Sequence, residues 1–151
     1  MFTGKALWLL KLQSKRLRQE SECFFSNIYD WARFVRKIES DNNHQASAGT
    51  TSAKGVYQFT DASVQTAKNR MSNMGFEIED IREIDINPHK WNDEEADCMF
   101  LANVFAQRGS DKLLIKIGEG DIEAMKEAYY KFHHTDPDEP TIKRVNKIMV
   151  V

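Results

Sequence analysis

The sequence predicts a predominantly α-helical domain of the α+β class, on three observations. Apolar residues recur at three- and four-residue steps through most of the 151-residue chain. Residues that cap helices stand where those periodic stretches begin. Only one stretch, residues 41–54, is polar and turn-rich enough for a small hairpin or loop excursion.

The elements follow in order. Residues 1–18 carry Lys5, Lys11, Lys15, Arg16 and Arg18 and no acid, with Leu9, Leu10 and Leu17 able to share one core-facing stripe. Residues 1–22 are therefore read as a basic amphipathic helix and 23–151 as the remaining core of a single domain. Phe24, Ile28, Trp31, Val35 and Ile38 mark a second helix, with Ser26 as N-cap and an end near Ser40. Val56, Tyr57 and Phe59 form either a short strand or a turn into the next helix. Thr60 caps a helix through Met74, stopped by Gly75. Residues 76–91 read as an irregular connection containing Pro88. Asn92 and Glu95 have capping-box spacing and open a helix to Arg108, ended by Gly109. A short helix at 111–117 follows, Asp121 caps another to about His134, and a last one starts near Thr141, after Pro137 and Pro140.

Composition narrows the function classes. Apolar content of 41% and charged content of 29% are those of an ordinary globular protein. A net charge of −2 gives no reason to expect a nucleic-acid partner. No window approaches the roughly 18 apolar residues of a membrane span. The start lacks the apolar run and small-residue cleavage site of a signal peptide, so the expectation is a protein made in the cytoplasm. Contact of residues 1–18 with a membrane surface is one reading of the basic start; a helix packed on the domain is the favoured one. Cys23 and Cys98 both fall in helical stretches and read as small buried residues, with a disulfide between them left open. No Cys/His cluster has zinc spacing, and His133-His134 with Asp136 is not read as a metal site, because adjacent residues on a helix face different ways.

The chemistry concentrates in Glu39-Ser40-Asp41-Asn42-Asn43, a polar loop, and Ala53-Lys54-Gly55-Val56-Tyr57-Gln58-Phe59-Thr60. A glutamate at a helix end is usually solvated, and there it opposes the helix dipole. Glu39, however, directly follows the apolar Ile38 and precedes a loop able to wall a cleft. A carboxyl held against apolar surface favours its neutral form, as a general acid for glycoside cleavage must. Gly55 suits close backbone approach. Gln58 and Ser40 offer hydrogen bonds to a sugar or to Glu39 itself. Tyr57, Tyr129 and Tyr130 offer flat faces with polar tips, whereas Trp31 lies on the buried stripe and is assigned to the core.

This segment resembles the lytic transglycosylase domain of the goose-type lysozyme-like superfamily. Glu39-Ser40 matches the helix-ending Glu-Ser pair, Asn43 and Ala46-Ser47 the loop, and Gly55 through Thr60 the entry to the next helix. Ala128-Tyr129-Tyr130 stands in place of an Ala-Tyr-Asn motif whose Tyr approaches the catalytic Glu. The chain departs from the pattern at His44, Tyr57 and Tyr130, which replace Pro, Met and Asn, so either Tyr129 or Tyr130 is the one facing the site. The resemblance implies a lysozyme-like fold with a small hairpin or loop insert after the catalytic helix, and Glu39 as the catalytic acid. It further implies peptidoglycan glycan strands as substrate, and no cofactor and a monomer are expected. The small size, lack of an export signal and single catalytic-type domain point to a phage-type enzyme reaching the wall through a lysis system or virion. A secretion-associated bacterial enzyme competes.

Glycosidases normally use two carboxylates. Between Asn42 and Thr60 there is no Asp or Glu. In the family resembled, the sugar's acetamido group assists and the muramic acid 6-hydroxyl closes a 1,6-anhydro ring. Asp41, two residues from Glu39, and Asp61, just inside the next helix, are not assigned to the site. The expectation is therefore a lytic transglycosylase, with a water-using lysozyme as alternative if a carboxylate remote in sequence, Asp85, Asp93 or Asp97, enters it. A non-catalytic wall-binding module is the second alternative.

Overall fold

The computed structural model describes residues 1–150. Eight helices occur among the described residues: α1 (Gly4–Leu17), α2 (Glu22–Ser40), α3 (Asp61–Met71), α4 (Ile78–Glu83), α5 (Asp93–Phe105), α6 (Ser110–Gly118), α7 (Ile122–Phe132) and α8 (Glu139–Ile148). Short 3-10 turns at Ser72–Met74 and Pro88–Lys90 join them.

The centre is α5. Every residue from Ala96 to Phe105 is buried, so this helix is covered on all sides. Its capping box is formed as the sequence predicts, Asn92 accepting from Glu95 N–H and Glu95 from Asn92 N–H. α1 and α3 pack against α5, and α6 lies between α2 and α7. The basic first helix is thus part of the core: Leu9 and Leu10 are fully buried, and Leu17 is partly buried against the core. Lys5 donates its backbone N–H to Glu94 at 2.8 Å, and Arg16 makes a two-pronged pair with Asp111 at 2.6 and 2.8 Å. Trp8 stands half-exposed, its ring edge-on to Phe76 at 4.8 Å.

The 19-residue α2 spans about 28 Å. Its buried stripe is the expected one, Phe24, Ile28, Trp31, Val35 and Ile38. Trp31 is fully buried and donates Nε1–H to the Met125 carbonyl at 3.0 Å, which fixes α7 against α2.

Several expectations need correction. The N-cap of α2 is Ser21, whose hydroxyl accepts from Phe24 N–H; Ser26 lies inside the helix. The cap signal is the same residue type one and a half turns earlier, where the first buried position begins. The α+β expectation reduces to a mostly-α architecture. The insert after α2 contains no strand, only isolated antiparallel bridges pairing Lys54 with Ser47 and with Phe59. Residues 76–91 hold α4 as well as a 3-10 turn. α5 stops at Phe105, and Gly109, at φ 84°, precedes α6 as its N-cap instead of closing α5. α8 begins at Glu139, with Pro140 in its first turn, where a missing N–H costs nothing. Thr60, Asp121 and Asn92 cap as the sequence predicts, whereas α3 ends at Met71, short of the expected Met74, and Gly75 closes the 3-10 turn that follows it. Cys98 is buried but Cys23 is exposed, and both are free thiols.

Candidate active site

α2 ends in left-handed backbone at Asp41 (φ 52°) and Asn42 (φ 63°), whose N–H groups close onto Lys37 and Arg36 carbonyls. Arg144 of α8 donates to the Ile38 carbonyl at 3.3 Å. This closure holds Glu39 in the last turn, with its side chain only 9% exposed.

Around the carboxylate three groups converge. Tyr129 donates its hydroxyl to Glu39 Oε1 at 2.5 Å. His134 Nδ1 lies 3.0 Å from the same oxygen and 3.1 Å from the Tyr129 hydroxyl. His133 Nε2 is 3.9 Å from Oε1 and hydrogen-bonds the Tyr57 carbonyl at 2.7 Å. The two histidines converge because α7 has already ended. His133 has non-helical dihedrals (φ −127°, ψ −53°), and the Tyr129 carbonyl accepts both following N–H groups. Adjacent histidines diverge only on a helix, and α7 ends at Phe132.

The protonation of Glu39 also differs from expectation. Burial alone pushes its pKa up, as the sequence argument requires, but the His134 hydrogen bond, the His133 charge and the Tyr129 hydrogen bond outweigh it and leave the pKa lowered. Burial lowers the pKa of His133, so its ring is neutral near pH 7 and its help to the carboxylate belongs to acid conditions. The partners that act at neutral pH are His134, whose pKa its hydrogen bond to Glu39 raises, and Tyr129, held protonated by burial and by Glu39. The arrangement favours a Glu39 carboxylate facing a histidine that tends to carry the proton.

Glu39 opens onto a cleft of about 420 Å³ lined also by Ala48, Thr51, Gln58, His134 and Asp136. The 41–60 loop forms one wall and is anchored from behind. Gly55 sits at φ 81°, and a Cβ there would meet Pro88 at 3.1 Å, so the close approach expected of this glycine is present. His89 Nε2 hydrogen-bonds the Ala46 carbonyl at 3.0 Å. A hollow of similar size, about 470 Å³, lies beside Trp8 and Phe76, but its acids Glu77 and Asp80 lack any comparable acid–base cluster.

The remaining sequence candidates divide. Tyr129, not Tyr130, faces Glu39; Tyr130 is half-buried beside it, ring centres 5.4 Å apart. Gln58 lines the cleft in left-handed backbone (φ 52°), its amide nitrogen bonded to Gly55 and Ala46 carbonyls at 2.9 and 3.3 Å. Ser40 donates to the Val56 carbonyl at 2.7 Å and accepts from Asn43 N–H, so it ties the loop to α2 and does not contact the carboxyl. Tyr57 is a correction. It is 1% exposed, stacked on Phe100 with ring centres 4.4 Å apart, and donates to Asp97 at 2.5 Å. It supports the core and is closed to a sugar.

Among acids, Asp97 is spent on Tyr57 and Arg36, and Asp93 on Arg36 and His44. Asp85 accepts from Asn87 N–H, Asp41 caps α2 and Asp61 opens α3. None lines the cleft; Asp136 does. His133, His134 and Asp136 are the functional candidates that sequence reasoning missed as partners of Glu39. Among the described residues no group of three His, Cys, Asp or Glu side chains is arranged to hold a metal. No protein-family profile, curated protein or solved structure matches the chain.

Proposed function

We propose that this protein cleaves the glycan strands of peptidoglycan as a lytic transglycosylase of lysozyme-like fold. On this reading Glu39 protonates the oxygen bridging N-acetylmuramic acid to N-acetylglucosamine. The substrate's acetamido oxygen then holds C1, and the Glu39 carboxylate takes the proton of the muramic acid 6-hydroxyl as O6 closes the 1,6-anhydro ring.

The observation that carries the reading is a nearly buried carboxylate at the end of α2, gripped by Tyr129 and His134, opening onto a cleft of saccharide dimensions. It agrees with the Glu-Ser to Gln-Phe sequence pattern, and with a cleft wall at residues 41–60 that supplies no second carboxylate near Glu39. On this reading Gln58, which lines that wall, meets a substrate amide through its side-chain oxygen, its amide nitrogen being held by the Gly55 and Ala46 carbonyls.

A second reading, hydrolysis, is favoured by Asp136, which lines the same cleft and could hold an attacking water. Mass spectrometry of the fragments released from purified peptidoglycan separates the two. Anhydro-muropeptides are expected. Products heavier by about 18 Da, one water per cut, would replace the transglycosylase with a lysozyme using Asp136.

A further inference from the structure

A lone carboxyl must give a proton first and take one back later, yet the geometry around Glu39 favours its ionised form. His134 resolves this. Its Nδ1 is 3.0 Å from Glu39 Oε1, within reach of direct proton transfer, and its side chain is 32% exposed at the cleft, open to solvent when the site is free. Tyr129 bridges the two, 2.5 Å from Oε1 and 3.1 Å from Nδ1, and holds both in register.

Resting on the transglycosylase reading, we propose that His134 is the positioning residue that stores the site's one mobile proton and passes it to Glu39 when a saccharide fills the cleft. In the open cleft, water supports the ion pair of imidazolium and carboxylate. A bound saccharide expels that water, and separated charges lose their solvation while a neutral imidazole and carboxylic acid lose little. The Nδ1 proton then moves to Glu39, with no change in the net charge of the pair. Glu39 gives it to the bridging oxygen as the C1–O4 bond breaks. It recovers one from the 6-hydroxyl as the C1–O6 bond forms, so the pair ends with the proton it began with.

The groups facing His134 come from three directions. Glu39 lies on α2, Tyr129 on α7 with His133 just past its end, and Asp138 and Arg144 at the start and middle of α8. Asp138 is exposed and also caps α8 through Thr141, while Arg144 is turned toward the Ile38 carbonyl and Thr141. Their opposing influences leave Glu39 as the dominant partner, which raises the His134 pKa.

His134→Asn keeps a donor near the Nδ1 position and removes the titration. In wild type, kcat/KM should decline on the alkaline side as His134 loses its proton, above the ordinary imidazole value. In the variant that limb should move into the carboxyl range, with activity at pH 7 lower by at least about tenfold and recovering on acidification. Independently of turnover, NMR titration should show the His134 ring above its ordinary value in wild type and back near it in Glu39→Gln. An unmoved alkaline limb in active His134→Asn, or a His134 titration indifferent to Glu39→Gln, overturns the inference and leaves the glycan-cleaving reading standing. Absence of turnover by the folded wild-type protein overturns both.

Discussion

Replacing Tyr129 by Phe removes one hydroxyl and little volume, so its effect can be worked from the hydrogen bond it makes. The hydroxyl donates to a carboxylate whose side chain is only 9% exposed, where solvent offers little replacement. A hydrogen bond to a charged group contributes about 1.5–3 kcal/mol, against about 0.5–1.5 kcal/mol to a neutral one. Tyr129→Phe should therefore destabilise the protein by about 1.5–3 kcal/mol at pH 7, a fall in Tm of about 3–12 °C for a chain of this size. The difference between charged and neutral forms, about 1–1.5 kcal/mol, should raise the Glu39 pKa by about one unit. Because the folded Glu39 pKa is lowered, its stabilising contribution is full above the unfolded carboxyl value and is lost as pH falls through the folded one. The gap between wild type and variant should accordingly narrow by about half on acidification through that range. Thermal unfolding of both proteins at pH 7, and again below the folded Glu39 pKa, measures this directly. An equal loss at both pH values, or none at pH 7, would refute the assignment of Tyr129 as a donor to an ionised Glu39.

Two further predictions concern the scaffold. Arg36 is buried between Asp97, at 3.1 Å, and Asp93, at 2.6 Å, so Arg36→Ala strands a buried Asp97 carboxyl. The expected cost is about 3–5 kcal/mol, or a Tm lower by about 6–20 °C in a thermal melt; a shift under about 2 °C would contradict the buried pair. Cys23 is exposed, while burial pushes the Cys98 thiol up to about 12. A thiol reagent near pH 8 should therefore label one cysteine per folded chain and both after denaturation, and two rapid labels on the folded protein would place Cys98 wrongly.

Much of the helical scaffold is legible in the sequence because capping and periodicity are local. Asn92 with Glu95, Thr60 and Asp121 each satisfy the N–H groups of their own first turn, whatever the rest of the chain does. The same holds for Glu39, whose neighbours Ile38 and Ser40 announce a helix edge between core and loop. What the sequence hides depends on where local order stops. His133 and His134 read as diverging only if α7 continues, and it ends at Phe132. Tyr57 reads as a sugar platform because a loop has no periodicity to mark its buried side. Its partner Asp97 lies 40 residues away on α5, just past an acidic first turn that carries no mark of its burial. Asp136 is likewise silent in sequence, since its place in the cleft follows from the turn after α7 and from no motif. The expected burial of Glu39 is present, yet the expected rise in its pKa is not. Burial is a property of its own helix, whereas the groups that lower the pKa arrive from α7 and the turn beyond it.

On the proposed function, Glu39 does the acid and base work on a glycan strand. Release of soluble fragments from purified peptidoglycan by wild-type protein and by Glu39→Gln, both shown to be folded, tests it most directly. Steady release by wild type is expected, with a loss of at least about a thousandfold in the variant, because the amide can neither give nor accept the proton. Fragment release by Glu39→Gln close to that of wild type would contradict it.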